Sequence, residues 1–243
     1  MKRSCIIVPC FNEADRFKTE DFLEFIHKVT DVDLCFVNDG SRDQTLYKLL
    51  EIQERNRDRI QVVSYLNNRG KAEAVREGFL KMMSLKTYTY LAFADADLAT
   101  PLSEMLRLIR IARQKKEIMM VMGSRLARVG GVIHRKAYRH VTGRTFAALI
   151  SCLFSLNAYD TQCGAKVFHI NIVRAVFEES FISRWLFDVE MLLRIKKIRA
   201  DYNEIVQEIP LNIWIEQGNS KIRFSHLLQM PLQLWKIYFK YKK

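Results

Sequence analysis

The chain has 243 residues, 49% of them hydrophobic, which is enough to bury one large core, and its low Gly and Pro content excludes a disordered or low-complexity chain. A formal charge of +12 implies an anionic partner: nucleic acid, anionic lipid or a phosphorylated substrate. The five cysteines (Cys5, Cys10, Cys35, Cys152, Cys163) form no C-x-x-C pair and no Cys/His cluster, which argues against structural zinc and suits a reducing compartment.

Met1-Lys2-Arg3-Ser4 leads directly into an apolar run, so no secretory leader is expected. Residues 5–8 read as a strand, 22–29 as an amphipathic helix, 34–37 as the next strand and 46–55 as the next helix. A third strand follows at 60–63, a third helix at 72–83 and a fourth strand at 90–94. Pro101 suits the first turn of a helix reaching Lys115, and 118–122 reads as a fifth strand. This alternation predicts an α/β domain with a mainly parallel sheet flanked by helices.

The second half is less regular. A long helix is expected over 137–156, a strand at 165–168, a helix over 188–197 and strands at 205–209 and 211–215. Residues 227–239 read as a basic, aromatic-rich helix. The division expected is a catalytic domain over 1–222 and a C-terminal amphipathic helix over 223–243. The longest uncharged stretch, 145–159, falls short of the roughly 20 residues a spanning helix needs, so no integral membrane segment is expected.

Four strand ends carry polar groups. The first gives Pro9, Asn12 and Glu13; the second Asn38-Asp39-Gly40-Ser41; the third Asn68-Arg69-Gly70-Lys71; the fourth Asp95-Ala96-Asp97. Any one of them is ordinary turn chemistry, but four on successive parallel strands mark the carboxyl edge where open α/β sheets bind ligands. Asp95 and Asp97, leaving a buried strand one residue apart, suit a hard divalent cation bridging to a diphosphate. Asp39 is placed to accept from a base N–H, and Arg69 and Lys71 put two cations near a phosphate. Glycine-rich dinucleotide and phosphate loops are absent, so side chains and metal must hold the nucleotide.

These pieces resemble the family 2 glycosyltransferases, nucleotide-sugar enzymes of the A-type fold: Ile7-Val8-Pro9-Cys10-Phe11-Asn12-Glu13, Val37-Asn38-Asp39-Gly40-Ser41-Arg42-Asp43, Asn68-Arg69-Gly70-Lys71 and Asp95-Ala96-Asp97. Four later pieces are similar to the polyprenyl-phosphate hexose synthases, and to dolichyl-phosphate β-glucosyltransferases in particular. They are Gly123-Ser124-Arg125, Asp160-Thr161-Gln162-Cys163-Gly164-Ala165-Lys166, Arg184-Trp185-Leu186-Phe187-Asp188-Val189-Glu190 and Glu216-Gln217-Gly218-Asn219-Ser220-Lys221. Ala99 stands where related mannosyl synthases commonly carry Gln, which favours glucose. Ala72 replaces the usual Gly after Lys71, and Ala165 the usual Phe.

The resemblance implies an inverting displacement at the anomeric carbon, with Mg²⁺ or Mn²⁺ held by Asp95 and Asp97. It implies a donor site of Pro9, Asn12, Glu13, Asp39, Lys71, Asp95 and Ala96, with Asp97, Asp160 and Asp188 as catalytic carboxylates. Arg125, Arg135 and Arg139 are the expected clamps for an acceptor phosphate. Glu190 is expected to pair with Arg184, and the five histidines to be structural or on the surface. Expected partners are a nucleotide-sugar donor, a polyprenyl phosphate and a membrane surface, met from the cytoplasmic side through 227–243 or the apolar stretch 146–156. The alternatives are a GDP-mannose enzyme, hexosyl transfer to a soluble glycan or a lipid alcohol, and, from charge alone, a nucleic-acid-binding module. The last lacks any nucleic-acid-binding motif.

Overall fold

The computed structural model describes residues 3–134, 137–217 and 224–241, of which 137–142 and 224–229 by their backbone alone. The alternation continues through β1 (Arg3–Cys10), α1 (Thr19–Lys28), β2 (Val32–Asp39), α2 (Thr45–Arg55), β3 (Ile60–Tyr65), α3 (Lys71–Ser84), β4 (Tyr88–Ala94), α4 (Leu102–Gln114) and β5 (Met120–Ser124). The chain then runs through β6 (Val132–His134), α5 (Ala137–Phe154), β7 (Ala165–His169), α6 (Ile170–Phe177), α7 (Phe187–Ile198), α8 (Tyr202–Ile205), β8 (Val206–Pro210), β9 (Ile213–Ile215) and α9 (Phe224–Tyr241).

Seven strands form the sheet in the order β3-β2-β1-β4-β7-β5-β8, and β6 pairs with β9 in a separate ribbon. β1 runs parallel to both β2 and β4, so the strand order reverses direction beside it, the position where open α/β sheets form their ligand crevice. β7 is the exception to the parallel pattern, running antiparallel to both β4 and β5. It enters from the far end of the sheet, which brings the loop before it, around Gly164, to the carboxyl end of β4.

Side chains alternate between the two faces with the strand period of two. Ile6 and Val8 of β1 face Phe22, Ile26, Leu49 and Met105 from α1, α2 and α4. Cys5 and Ile7 face the cluster built by α3, α5, α6 and α7 through Val75, Phe79, Ile150, Val176 and Leu192. Leu234 and Ile237 belong to the same cluster, so α9 packs on the domain by one face. α6 and β6 are not expected from the sequence. β6 is three residues long, and the β-branched residues of α6 carry no helix signal before His169 accepts from Asn171 N–H at its start.

Candidate active site

The first two strand ends are laced together. Asn12, at φ +49°, donates its N–H to Ser41 Oγ (3.0 Å), and its Oδ1 accepts from Arg42 N–H (2.9 Å). Glu13 is buried; its N–H donates to Thr45 Oγ1 (2.7 Å), and its carboxylate accepts from Arg16. Pro9 remains within β1, opposite Val37. Asp39, buried at the end of β2, ties down the turn after β3. Its Oδ1 accepts from Arg69 N–H (2.8 Å), and its Oδ2 from Gly70 N–H (2.8 Å) and Asn68 Nδ2 (2.9 Å).

β4 ends in a tight turn in which Leu98 N–H returns to Asp95 O (3.2 Å) and Asp97 Oδ1 accepts from Ala99 N–H (3.0 Å). Ala96 between them is buried. Lys71, first residue of α3, forms an ion pair with the half-exposed Asp95 carboxylate. Burial works against the Lys71 ammonium, but attraction from Asp95 and Asp188 outweighs it and raises the group above the ordinary lysine value. Burial, then the charge of Asp95, pushes the Asp97 carboxyl up, against the Ala99 N–H, Arg16 and Lys71. Gly164 packs directly on Asp95: a Cβ there would lie 2.7 Å from the Asp95 Cγ, so any side chain would displace the carboxylate. Sequence reasoning missed Arg16. Its guanidinium is raised by the hydrogen bond to Glu13, with smaller attractions from Asp97 and Asp95. The Glu-x-x-Arg spacing was its only signal.

The later carboxylates each face a cation from another element. Asp160 is gripped by Arg125 through Nε to Oδ2 (2.7 Å), NH2 to Oδ1 (2.7 Å) and the backbone N–H (3.0 Å). Arg125 is thereby held well above its ordinary value, burial being outweighed by the Asp160 bond. This corrects the expectation that Arg125 is an open phosphate clamp: its fork is filled by Asp160. Glu208 in turn accepts from Tyr159 N–H (2.7 Å) and Asp160 N–H (2.8 Å). Arg135 lies outside the described residues, and Arg139 is described only by its backbone in α5.

Asp188, buried in the first turn of α7, accepts from Lys166 Nζ (2.6 Å). Lys166 is fully buried, also donates to Cys163 O (2.6 Å), and lies 5.4 Å from the Phe93 ring centre. Asp188 and Lys71 attract across the site, so Lys166, Asp188, Lys71 and Asp95 alternate in sign. Glu190 does not pair with Arg184 as expected. It accepts from Ile182 N–H (3.1 Å) and Ser183 N–H (2.9 Å) and faces Arg194 at 3.8 Å, one helical turn along α7. Trp185 is half-buried.

Two carboxylates at one strand end, Asp95 and Asp97, supply the hard oxygen ligands that Mg²⁺ or Mn²⁺ takes. No group of three or more His, Cys, Asp or Glu side chains assembles among the described residues, so a cation there would complete its shell with substrate oxygens and water.

The family model for glycosyl transferase family 2 matches residues 5–177. The chain belongs to that family. It is a nucleotide-sugar-dependent glycosyltransferase. It is 31% identical to a dolichyl-phosphate beta-glucosyltransferase of Dictyostelium discoideum over 97% of this chain and 74% of that one. It is 28% identical to the Homo sapiens dolichyl-phosphate beta-glucosyltransferase over 99% of this chain and 76% of the relative. Among solved structures, the fold matches glucosyl-3-phosphoglycerate synthase from Mycobacterium tuberculosis, crystallised with Mn²⁺, UDP-glucose and phosphoglyceric acid. The TM-score is 0.69, with 15% identity, covering 98% of this chain and 80% of that one. That likeness establishes the A-type fold.

Proposed function

We propose that this glycosyltransferase moves glucose from UDP-glucose to a polyprenyl phosphate of the dolichyl type, inverting the anomeric carbon. The observation that carries the reading is the Lys71–Asp95 ion pair beside Asp97 at the carboxyl end of β4, with only β1 between it and the strand that ends in Asp39. A nucleoside diphosphate laid from Asp39 to Asp97 meets one ammonium and two carboxylates. The dolichyl-phosphate glucosyltransferase relatives support the choice of sugar and lipid, and Ala99 in the turn agrees with it.

Asp95 and Asp97 are the residues that would hold a divalent cation. When bound, such an ion neutralises charge developing on the leaving diphosphate. Lys71 adds positive charge on the same side. The acceptor's phosphate oxygen is already ionised near neutral pH, so the displacement needs no strong base. That oxygen forms the new bond to the anomeric carbon while the bond to the β-phosphate oxygen breaks and UDP departs with its electron pair. Asp160, held by Arg125, then serves to orient sugar hydroxyls or the acceptor loop. Asp188 holds Lys71 in register across the site.

The lipid acceptor asks for a surface facing the bilayer, and α9 presents one. Leu232, Trp235 and Phe239 are exposed at the i, i+3, i+7 spacing of a single stripe, while Leu234 and Ile237 on the other side are buried. Trp235 and Phe239 pack edge to face, 4.7 Å between ring centres, and Lys236 and Lys240 flank them. This is the composition of an interfacial helix, with each lysine near an anionic surface contributing on the order of 1 kcal/mol. No helix of the described residues is long and apolar enough to cross a membrane. Peripheral attachment on the cytoplasmic face follows from this reading.

The test is a donor and acceptor screen. Purified protein with a short polyprenyl phosphate should release UDP from UDP-glucose and yield the glucosylated lipid, with little turnover of GDP-mannose. Preference for GDP-mannose, or equal transfer to a water-soluble alcohol, overturns the substrate assignment. Sedimentation with anionic liposomes, weakened by salt and by Trp235→Ser, checks the surface.

A further inference from the structure

We infer that Arg184 binds the β-phosphate of the nucleotide-sugar donor and carries part of the charge that accumulates on the departing diphosphate. This rests on the reading of the site as a UDP-sugar site. Arg184 lies just before α7, and its side chain crosses to the turn between β3 and α3. A Cβ on Gly70 would stand 3.2 Å from the Arg184 Cδ and 3.6 Å from its Nε. Gly70, at φ +94°, donates its N–H to Asp39 and is followed by Lys71, which holds Asp95. The turn under Arg184 therefore joins the carboxylate assigned to the base with the carboxylates assigned to the cation, which is the path a diphosphate must take.

A count of charge on that turn singles out Arg184. Lys71 is matched by Asp95, and Arg69 by Glu73 (3.5 Å) and Glu77 (3.8 Å). Arg76 is matched by the same two glutamates at 2.8 and 3.0 Å. The guanidinium of Arg184 has no hydrogen bond or ion pair among the described residues, and the residue is exposed. A solvated arginine is ordinary on a mobile surface loop. This one is set on a fixed backbone: fully buried Glu190 accepts from the N–H groups of Ile182 and Ser183, and buried Ser183 Oγ accepts from Trp185 N–H (3.1 Å) and Leu186 N–H (2.8 Å). Four hydrogen bonds, two of them buried, hold the backbone around one unmatched cation before the anion arrives, which is how a guanidinium gives charge stabilisation at little ordering cost.

In the displacement, the bond between the anomeric carbon and the β-phosphate oxygen breaks with its electron pair on that oxygen. A guanidinium already in contact gains attraction as the charge grows, so Arg184 stabilises the transition state more than the ground state. Nothing is oxidised or reduced, and no proton need move to Arg184.

The experiment is calorimetric titration of UDP and UMP, with Mn²⁺ present, into the wild type, Arg184→Ala and Arg184→Lys, with thermal unfolding of each. Arg184→Ala should weaken UDP about tenfold or more and leave UMP nearly unchanged, while Arg184→Lys recovers part of the loss. Unfolding midpoints should coincide, because the side chain is exposed. Equal weakening of UDP and UMP, or none of either, overturns the assignment. An unchanged UDP affinity with a raised KM for the lipid phosphate also overturns it, moving Arg184 to the acceptor. A wild type that binds no UDP overturns the donor reading itself, a result distinct from failure of Arg184 in a protein that does bind UDP.

Discussion

At the ends of β1 and β2, Asn12 and Asp39 take neutral N–H groups from the turns beside them. In the loop before β7 and at the start of α7, Asp160 and Asp188 each face a buried or nearly buried cation, Arg125 or Lys166. The first arrangement fixes loop geometry through neutral N–H groups, with no cation paired to Asp39 among the described residues. The second cancels charge pairwise and leaves little over. The Asp95–Asp97 turn sits on the border: Asp95 has Lys71, whereas Asp97 has one backbone N–H and distant cations. On the proposed reading, the contrast gives ligand charge to the donor side and scaffold charge to the other.

Asp97 tests the border most severely. Asp97→Ala should lower transfer by about 10³-fold or more, in line with removing a principal electrostatic contact to developing charge. The fold should persist, because the turn retains its Leu98 N–H to Asp95 O bond. Initial rates of UDP release and a thermal melt measure both, and excess chelator should reproduce the loss in the wild type. Full turnover by the variant, or by the wild type in chelator, removes the metal from this site.

The scaffold side breaks differently. Lys166→Met strands the Asp188 carboxylate in the core and should cost about 3–5 kcal/mol of stability, the range for removing one partner of a buried pair. Adding Asp188→Asn should return part of it. Urea unfolding reads both. A single variant as stable as the wild type would show that Asp188 reaches solvent or another cation.

How far all this was legible follows from which contacts are local. β1 to β5 and the turns after them could be read because hydrophobic period and turn chemistry are written within a few residues. Asp39 was correctly placed at the carboxyl edge, although its hold on Arg69 and Gly70 depends on β2 and β3 lying side by side. Arg125 was misread because Asp160, its partner, returns only after α5 and a long loop. Glu190 was paired with Arg184 on adjacency in the sequence. Its position in the first turn of α7 instead aims it at the N–H groups ahead of the helix. The antiparallel entry of β7 left no local trace, since a strand's residue pattern does not encode its direction.

Asp39 sharpens the donor side at a smaller scale. Asp39→Ala leaves the N–H groups of Arg69 and Gly70 without their acceptor and loosens the turn that Lys71 starts from. UDP affinity should fall about tenfold, with kcat at saturating donor less affected. Calorimetry and steady-state kinetics separate the two. A fall in kcat alone would place Asp39 in the chemistry rather than in binding.

Glu208 gives the smallest effect and tests whether the scaffold side is as self-contained as its pairing implies. Burial raises its carboxyl, with the charge of Asp160 adding, against the N–H groups of Tyr159 and Asp160. A carboxyl raised by folding holds its proton more tightly in the native than in the unfolded state. Above the ordinary value of 4.5, the unfolded chain releases that proton first, so Glu208 contributes less to stability as pH climbs through its folded value. Glu208→Gln cannot titrate, so the wild type should lose stability relative to the variant as pH rises from 4.5, whatever the variant's absolute level. Urea midpoints across that range measure the difference. A wild type that gains on the variant would mean that the two N–H bonds outweigh burial. Asp160 would then rest on a carboxylate held by backbone N–H groups as Asp39 is, and the distinction between the two sides would fail at that residue.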